Sequence, residues 1–414
     1  MSRGIPFGSF YSYKGTLLNK TARKKGGETM KKMTKKSLAV ALTGAMCLAL
    51  GGCGGGKTET TAETTAETGA ETSVETTAGD AAGDLNSLTL DEIIENAKAE
   101  GHVESVGMPD EWADWGSLWN AMSDTYGITH NDTDMSSSEE LQMFATEGEN
   151  GTKDMGDVGY GFAGQAVDED LVQGYKTSYW DSVPDWAKGE DGKWMVAYTG
   201  VTTFLVNTDQ VENVPTSWQD IREGDYKVAL GPLTGANAQA AFIASAYAFG
   251  GDMDNLEPAI EFWTEMAEAG RVNTLDITQA NFESGEIAVG VVWSFTGIPY
   301  SKNISQYKMQ AVVPSDGCLQ NGYASVINKY APHPNAAALT RETMFSDEGQ
   351  TYLALAGAIP TREDFTIADE YKDQVISKDD IANAVLISDA DAYSAACETA
   401  KTRWEEEVAP LLVQ

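Results

Sequence analysis

The longest run of strand-forming residues, residues 194–207, constrains the fold more than any other feature. It reads WMVAYTGVTTFLVN and is rich in β-branched and aromatic residues, with a glycine in its middle. Such residues favour strands that pack on a pleated surface. Because patterns that alternate helix and strand stand on both sides of this run, we expect it to form strands that cross between two α/β halves.

Helix and strand patterns alternate on both sides of this run. Two capping-box patterns, Thr89 with Glu92 and Ser137 with Glu140, predict helix starts in the first half. The predicted strands are residues 102–108, 128–132, 157–159, 227–230, 287–293, 310–313 and 322–328. Helices are predicted at residues 89–100, 112–126, 237–249, 258–269, 334–345, 348–356 and 389–412, with further helix starts at residues 137 and 215. The alternation predicts an α/β fold of two lobes with a cleft between them.

We divide the folded part by this pattern. The first part of lobe 1 is placed at residues 88–200, lobe 2 with the crossing strands at residues 201–310, and the return to lobe 1 with the C-terminal helices at residues 311–414. Two cysteines lie in this part, Cys318 and Cys397. They could pair in an oxidising exterior or stay buried and free, and the sequence leaves both alternatives open.

The N-terminal region has the layout of a secretory signal peptide. A basic segment follows Met30, an apolar run covers residues 38–50, and small residues precede Cys53. The apolar run is shorter than the ~20 residues that span a bilayer. Its end, Leu-Gly-Gly-Cys, resembles the bacterial lipobox, which implies cleavage before Cys53 and lipidation of that cysteine. An ordinary apolar helix with a chance cysteine is the alternative, and residues 1–29 are expected to be a start-site extension.

A spacer follows the cysteine. Residues 54–84 are rich in Thr and Glu and contain no aromatic residue. Glutamates recur at every fourth position from Glu59 to Glu75, so a helix would place like charges on one face. We therefore predict a disordered spacer over residues 53–87 that separates the folded part from the membrane.

The charge of the chain limits its partners. The formal net charge is −35, and residues 1–52 are basic, so the remainder is more acidic still. Such a surface repels nucleic acid and anionic lipid, which excludes both as partners. A helix N-terminus could still bind an anion locally.

Several segments, in their order along the chain, resemble an extracellular solute-binding protein of a bacterial ABC importer. They read DVGYG, YTGVTTFLVNTDQV, PTSWQDI, GEIAVGVVWS, GYASVINKYAPHPNAA and SDEGQTYLALAGAIPTR. The resemblance is to the type 2 group that contains ferric-iron, polyamine and aminophosphonate binders. It implies a type 2 periplasmic-binding-protein fold that closes on a small polar solute by a hinge motion about the crossing strands. It also implies a monomer without enzymatic activity or cofactor, which is tethered outside the cytoplasm by its lipid and delivers the solute to an ABC permease.

Motifs that would favour an enzyme or a metal site are weak. Residues 159–164 fit the pattern G-x-G-x-x-G, but they follow a third strand, whereas a dinucleotide site needs the first strand of its unit. His102, His130 and His333 lack metal-ligand spacing. A tethered hydrolase that uses a pair of cleft carboxylates, and a sensor without a permease, are the alternatives.

Side chains that follow the predicted strands are the candidate ligand contacts, because ligands of open α/β sheets bind beyond the carboxyl ends of strands. The aromatic candidates are Trp112, Tyr160, Tyr198, Trp293 and Phe295. The acidic candidates are Asp132, Asp134 and Asp316. Polar groups at predicted helix starts are Ser136, Ser137, Thr234, Gly235 and Asn237. Two residues of predicted strands complete the set, Thr199 and Tyr323.

These residue types favour an amine-bearing solute. Aromatic faces and carboxylates together suit an organic ammonium group, and helix N-termini suit a phosphonate or carboxylate. We therefore expect a polyamine-like or aminophosphonate-like solute, with ferric iron as the alternative. In the group that the chain resembles, ferric binders typically hold iron with adjacent tyrosines after the second-lobe strand. Here that position reads Trp-Ser-Phe-Thr from Trp293, and Tyr300 stands alone further on.

The lipid anchor is tested by Cys53→Ser. The variant should be released from the membrane or left unprocessed, because the lipid is attached through the thiol. Membrane fractionation and the mass of the mature protein measure both outcomes. Unchanged membrane association of the variant would contradict the lipoprotein prediction.

Overall fold

The computed structural model describes residues 83–412. The predicted start-site extension, signal peptide, lipidated Cys53 and most of the spacer lie outside the described residues. Within residues 83–412, no helix is long and apolar enough to cross a membrane. The folded part begins at a short 3₁₀ turn, Leu85–Ser87, close to the predicted start.

Helices and strands alternate through the described residues, which confirms the predicted α/β class. The α-helices are α1 Leu90–Glu100, α2 Trp115–Tyr126, α3 Ser137–Glu147, α4 Ala163–Asp168, α5 Trp218–Glu223, α6 Ala236–Ala248, α7 Glu257–Glu268, α8 Gln279–Glu283, α9 Ser294–Asn303, α10 Pro334–Phe345, α11 Asp347–Leu355 and α12 Ala390–Arg403. The strands are β1 His102–Val106, β2 Thr129–Thr133, β3 Met155–Gly159, β4 Val172–Gln173, β5 Trp194–Asn207, β6 Val228–Ala229, β7 Val272–Asn273, β8 Val289–Trp293, β9 Met309–Val312, β10 Cys318–Asn328, β11 Ile359–Pro360 and β12 Ala384–Leu386.

The strands form one sheet in two halves. Its main order is β2-β1-β3-β10-β5-β8-β6-β7. Strand β1 runs parallel to β2 and β3 in the first half, and β6 runs parallel to β7 and β8 in the second. Each half therefore contains a small parallel sheet with crossover helices, as the alternation predicts.

Strand β5 joins the two halves. Residues from Trp194 to Val201 pair with β10, and residues from Thr202 to Val206 pair with β8. All of its residues except Trp194 are buried. A strand that is covered on both faces is expected to be continuously apolar and β-branched, which explains the run in the sequence.

The start of α2 differs from the prediction. A helix was expected from Trp112, but the α-helix begins at Trp115, because Ala113 and Asp114 have positive φ angles of 48° and 58°. These left-handed residues interrupt any right-handed helix. Trp112 therefore lies in a loop between β1 and α2.

The start of α3 is also shifted, by one residue. The predicted pairing of Ser137 with Glu140 is wrong, since the capping box pairs Ser136 with Glu139. The hydroxyl of Ser137 instead accepts a hydrogen bond from the Gly159 amide at 2.9 Å. The shift turns the Glu140 side chain into the protein, where it is 1% exposed.

The two described cysteines are free and buried. Burial raises the pKa of the Cys318 thiol to about 11 and that of Cys397 to about 12. Of the two alternatives that the sequence left open, the structure shows the unpaired one.

The contact between β5 and β10 predicts a strong effect of Gly322→Ala. A Cβ atom at Gly322 would lie 2.1 Å from the carbonyl oxygen of Tyr198, and backbone atoms must shift to relieve this clash. Overpacking of this kind destabilises a protein by ~1–3 kcal/mol. Gly164→Ala in α4 is the control, because its nearest neighbouring atom would be 3.8 Å away. Denaturant unfolding of both variants measures the difference, and equal stabilities would contradict the tight contact.

Candidate functional site

A cavity of about 550 Å³ lies at the carboxyl ends of the strands in both halves of the sheet. The loops after β1 and β2, the start of α3 and one residue of β10 supply one wall: Pro109, Glu111, Trp112, Asp134, Met135, Ser136, Ser137, Glu140 and Tyr323. The loop after β6, the start of α6, the region of α8, and α9 supply the other: Leu230, Gly231, Pro232, Gly235, Ala236, Asn237, Ala238, Asp276, Ile277, Thr278, Gln279, Ala280, Glu283, Thr296 and Tyr300. This is the place where open α/β sheets bind ligands.

The cavity is acidic. Its lining includes the carboxylates of Glu111, Asp134, Glu140, Asp276 and Glu283. None of the lining residues is a lysine, arginine or histidine. An uncompensated set of carboxylates in a concave site produces a negative potential that attracts cations.

Glu140 forms the floor of the cavity. Its Oε2 atom has no hydrogen-bond partner among the described residues. Two glycines make room for the carboxyl group, since a Cβ atom at Gly107 or Gly156 would lie 2.4 or 2.5 Å from its oxygens. Burial raises the pKa of Glu140 well above its usual range, and the charges of Asp157 and Asp132 raise it further.

A second buried carboxyl group lies behind this floor. Asp157 on β3 is fully buried, and its Oδ2 accepts a hydrogen bond from the Tyr198 hydroxyl at 2.6 Å. Burial raises the pKa of Asp157 to about 7, although the Tyr198 hydrogen bond opposes the shift. In the wall itself, burial raises the pKa of Asp134, as do the charges of Asp132 and Glu111.

Trp112 spans the cavity from one wall to the other. Its ring lies edge-on to Tyr323 and Phe295, with centroids 5.0 and 5.9 Å apart. Its indole N–H donates a hydrogen bond to the hydroxyl of Thr296 on α9. The adjacent amide of Ala113 donates to the Phe295 carbonyl at 3.4 Å. The loop after β1 is therefore attached directly to the second half of the protein.

Two helices, α3 and α6, begin at the cavity, and they differ in whether a side chain already caps the N-terminus. Ser136 caps α3 in its capping box. At α6, the N-cap residue Gly235 offers no capping side chain, and the side-chain Nδ2 of Asn237 donates to the carbonyls of Leu230 and Val291 at 3.3 and 2.9 Å, which leaves the backbone N–H groups of the first turn uncapped. The open N-terminus of α6 is the better of the two for an anionic group.

The structure brings together seven of the predicted contact residues. They are Trp112, Asp134, Ser136, Ser137, Gly235, Asn237 and Tyr323. Eight others lie outside the cavity wall: Asp132, Tyr160, Tyr198, Thr199, Thr234, Trp293, Phe295 and Asp316. Contact with a ligand stays a prediction for the whole set.

The outlying aromatic residues are held by other contacts. The Tyr160 hydroxyl donates to the Trp186 carbonyl at 2.8 Å, and that of Tyr198 is bound to Asp157. Trp293 and Phe295 are buried and stacked on each other, with centroids 5.8 Å apart. Phe295 in turn contacts the ring of Trp112 edge-on.

The outlying polar residues also have structural partners. Asp132 accepts hydrogen bonds from the Ser105 hydroxyl and the Met108 amide at 2.6 and 3.0 Å. The Thr199 hydroxyl donates to the Ile359 carbonyl at 3.4 Å. Asp316 accepts from the amides of Trp218 and Gln219 at the start of α5.

Sequence reasoning missed several lining residues. Glu140 was assigned to a capping box, because three consecutive serines allow more than one register for the helix start. Glu111 directly precedes the helix predicted from Trp112, and the positive φ angles of Ala113 and Asp114 extend the loop that contains it to Asp114. Asp276 and Glu283 lie in a segment where no element was predicted. Their only signal was the short Thr278 cap before α8.

A metal site is not preformed. Within residues 83–412, no group of three His, Cys, Asp or Glu side chains is arranged so that it could hold a metal ion. Bare metal chelation would need a rearrangement of the lining carboxylates or donors from elsewhere.

The raised pKa of Asp157 predicts a pH-dependent effect of Asp157→Asn. In the folded protein the Asp157 carboxyl group keeps its proton up to a pH of about 7, whereas in the unfolded chain the same group loses it near a pH of about 4. Between these values the unfolded state binds fewer protons, so the free energy of unfolding falls as the pH rises. The uncharged variant should therefore be ~1–3 kcal/mol more stable than the wild type above a pH of about 7, and equal to it below about 4.

Urea unfolding over this pH range measures the effect. Asp124→Asn, on the exposed surface of α2, is the control and should show no such dependence. A difference between Asp157→Asn and wild type that stays constant with pH would contradict a raised pKa at Asp157.

Comparison with known proteins identifies the family of the chain. The model of the bacterial extracellular solute-binding protein family matches residues 150–384, which is more than half of the chain. No curated protein sequence matches the chain. Similar solved structures cover about three quarters of it.

One of these structures is the periplasmic binding protein AfuA from Actinobacillus pleuropneumoniae with exogenous fructose 6-phosphate bound. Its TM-score is 0.59 at 16% identity, with 74% of this chain and 98% of that chain covered. Iron-bound HitA from Pseudomonas aeruginosa has a TM-score of 0.58 at 15% identity, with coverages of 74% and 99%. The Atu4243-GABA receptor has a TM-score of 0.57 at 17% identity, with coverages of 74% and 97%.

At these identities the similar structures show the fold alone. They confirm the predicted two-lobed type 2 periplasmic-binding-protein fold. The family match supports the general function of this class of protein, which is to capture a solute outside the cytoplasm and deliver it to an ABC permease. The chain belongs to the bacterial extracellular solute-binding proteins.

Proposed function

We propose that the protein captures a small solute that carries at least one ammonium group and delivers it to an ABC permease. The observation that supports this most is the cavity wall, which holds five carboxylates and no basic side chain. An ammonium group 4 Å from one carboxylate gains ~4 kcal/mol at the effective dielectric constant near a protein surface. An anionic solute of the same size would be repelled by each of these groups that is ionised.

The aromatic lining suits the same chemistry. Trp112, Tyr323 and Tyr300 line the cavity. A cation over an aromatic face gains ~0.5–2 kcal/mol, depending on how far it is desolvated. Burial raises the pKa of Tyr300 to about 12, so its ring enters this site as a neutral phenol.

The similar structures indicate that the fold does not by itself determine the ligand. AfuA has fructose 6-phosphate bound, HitA has iron bound and Atu4243 is a GABA receptor. One fold therefore serves unlike solutes, and the side chains of the site must decide between them. A zwitterion would suit this site, because its ammonium group would meet the carboxylates while its anionic end met the open N-terminus of α6.

Ferric iron is the second candidate. Carboxylate and phenol oxygens are the hard ligands that such an ion prefers, and the cavity holds both types. An iron chelate that brings its own ligands would need only part of a coordination shell from the protein. This candidate predicts saturable binding of ferric citrate in competition with amines.

We also propose how the site is presented and closed. The lipidated Cys53 and the Thr/Glu spacer would tether a monomer to the membrane, an arrangement that the sequence pattern supports. The lobes would be divided at residues 88–200, 201–310 and 311–414, and would close about β5. Its position between the two halves of the sheet supports this hinge.

A thermal-shift screen tests the solute class. We expect putrescine, spermidine, 4-aminobutyrate or 2-aminoethylphosphonate to raise the melting temperature, because a ligand that binds only the folded state stabilises it. Fructose 6-phosphate and ferric citrate are the comparison compounds. A rise with either of these and none with the amines would contradict the proposal.

Asp134→Asn then tests the carboxylate wall. It should weaken binding of the best amine by ~1–3 kcal/mol, since it removes one charge from the site. Asp316→Asn is the matched control, because Asp316 accepts backbone hydrogen bonds at α5 and does not line the cavity. Titration calorimetry measures both affinities. Equal affinities in the two variants would exclude Asp134 from ligand recognition.

A further inference from the structure

Glu140 is the one carboxylate of the cavity wall that is almost fully buried. It projects from the first turns of α3 and is 1% exposed, although it lines the cavity. Its Oε2 atom has no hydrogen-bond partner among the described residues. A buried polar atom without a partner costs ~1–3 kcal/mol, so this atom is expected to gain a partner when the cavity is occupied.

The backbone around Glu140 is shaped for its carboxyl group. Gly107 has a φ of +68°, which by itself favours glycine. Gly156 lies within β3 and has no positive φ, so its backbone conformation does not require glycine. A Cβ atom there would lie 2.5 Å from Oε2 of Glu140. The space that this second glycine leaves is therefore explained by the carboxyl group.

Every titratable group that faces Glu140 is acidic or neutral. The carboxyl groups are Asp132 on β2, Asp134 in the loop after it and Asp157 on β3. The phenols of Tyr198 on β5 and Tyr323 on β10 also face it. Burial, and then the charges of Asp157 and Asp132, raise the pKa of Glu140. The raised pKa therefore favours the protonated form of Glu140 in the empty cavity.

We propose that Glu140 is the anchor for an ammonium group of the solute, and that it releases its proton to solvent as the ammonium group binds. This inference rests on the proposed function and adds to it the residue and the coupled proton. The protonated carboxyl group and the alkylammonium ion become a carboxylate–ammonium pair plus one free proton. No bond of the solute breaks and nothing is oxidised or reduced.

The exchange keeps the floor of the cavity at constant charge. A positive group enters while a proton leaves, so the buried carboxylate is paired whenever it is ionised. An unpaired carboxylate at this depth would cost several kcal/mol. Because a proton is released, the affinity increases about tenfold for each unit by which the pH is raised, as long as the pH stays below the pKa of the Glu140 carboxyl group in the free protein. An acidic exterior would then favour release of the solute.

Titration calorimetry of the wild-type protein measures the proton directly. The probes are putrescine and 4-aminobutyrate, whose ammonium groups keep their protons at neutral pH. Each is titrated in phosphate and in MES at the same mildly acidic pH, because these two buffers are effective there and take up a proton with different enthalpies. We expect the difference in observed enthalpy to correspond to close to one proton released for each solute bound.

Glu140→Gln tests the assignment to this residue. It should abolish the proton release, flatten the pH dependence and weaken binding about 30-fold or more, the range expected when one partner of a buried charge pair is lost. Glu283→Gln is the control, since Glu283 lines the same cavity but is only half-buried. The control should lose some affinity and keep the proton release.

The outcomes separate this inference from the proposed function. Binding of a probe by the wild type without proton release would overturn the exchange, whether or not Glu140→Gln folds. Unchanged affinity and proton release in a folded Glu140→Gln variant would overturn the role of this residue. Binding of neither probe would contradict the proposed function itself.

Discussion

The burial of carboxyl groups without basic partners is the constraint on which the site depends. Glu140 and Asp157 lie beneath a cavity whose wall adds further acids, and no lysine, arginine or histidine lines it. Buried charges are normally paired, because desolvation of a single ion costs several kcal/mol. Burial raises the pKa of both groups, which favours their uncharged forms while the cavity is empty. A cation that enters such a site would stabilise the ionised form of its carboxyl groups.

The crossing strands make such a site possible. Strand β5 pairs with β10 in one half of the sheet and with β8 in the other, and both halves present their carboxyl ends to one cavity. Tyr198 lies on the same strand and donates its hydroxyl to Asp157. The element that connects the lobes therefore also holds one of the buried acids in place. A change in the charge of Asp157 acts directly on β5, the segment about which the lobes are expected to move.

Much of this fold could be predicted from the sequence, because its signals are local. The run at residues 194–207 is buried almost throughout, so all of its residues except Gly200 and Asn207 are apolar or β-branched, and the run is recognisable from the sequence. The floor of the cavity could not be predicted in the same way. Three consecutive serines leave the start of α3 ambiguous by one residue, and that residue decides whether Glu140 points to solvent or into the protein. The glycines that accommodate it, Gly107 and Gly156, are distant in sequence, and only tertiary contact relates them.

Backbone strain at the cavity is the other feature that no local pattern reveals. Ala113 and Asp114 both have positive φ angles, and such conformations cost ~1–3 kcal/mol for each residue. Strain of this size persists only where surrounding contacts fix it. Here the contacts belong to Trp112, whose indole binds Thr296 and whose ring packs against Tyr323 and Phe295. Because Phe295 and Thr296 lie on α9, which contributes to the opposite wall, the strain in a loop of the first lobe is maintained in part by residues across the cavity. Opening the lobes would release Trp112 and relax the loop, so the same side chain that faces the solute also reports whether the cleft is closed.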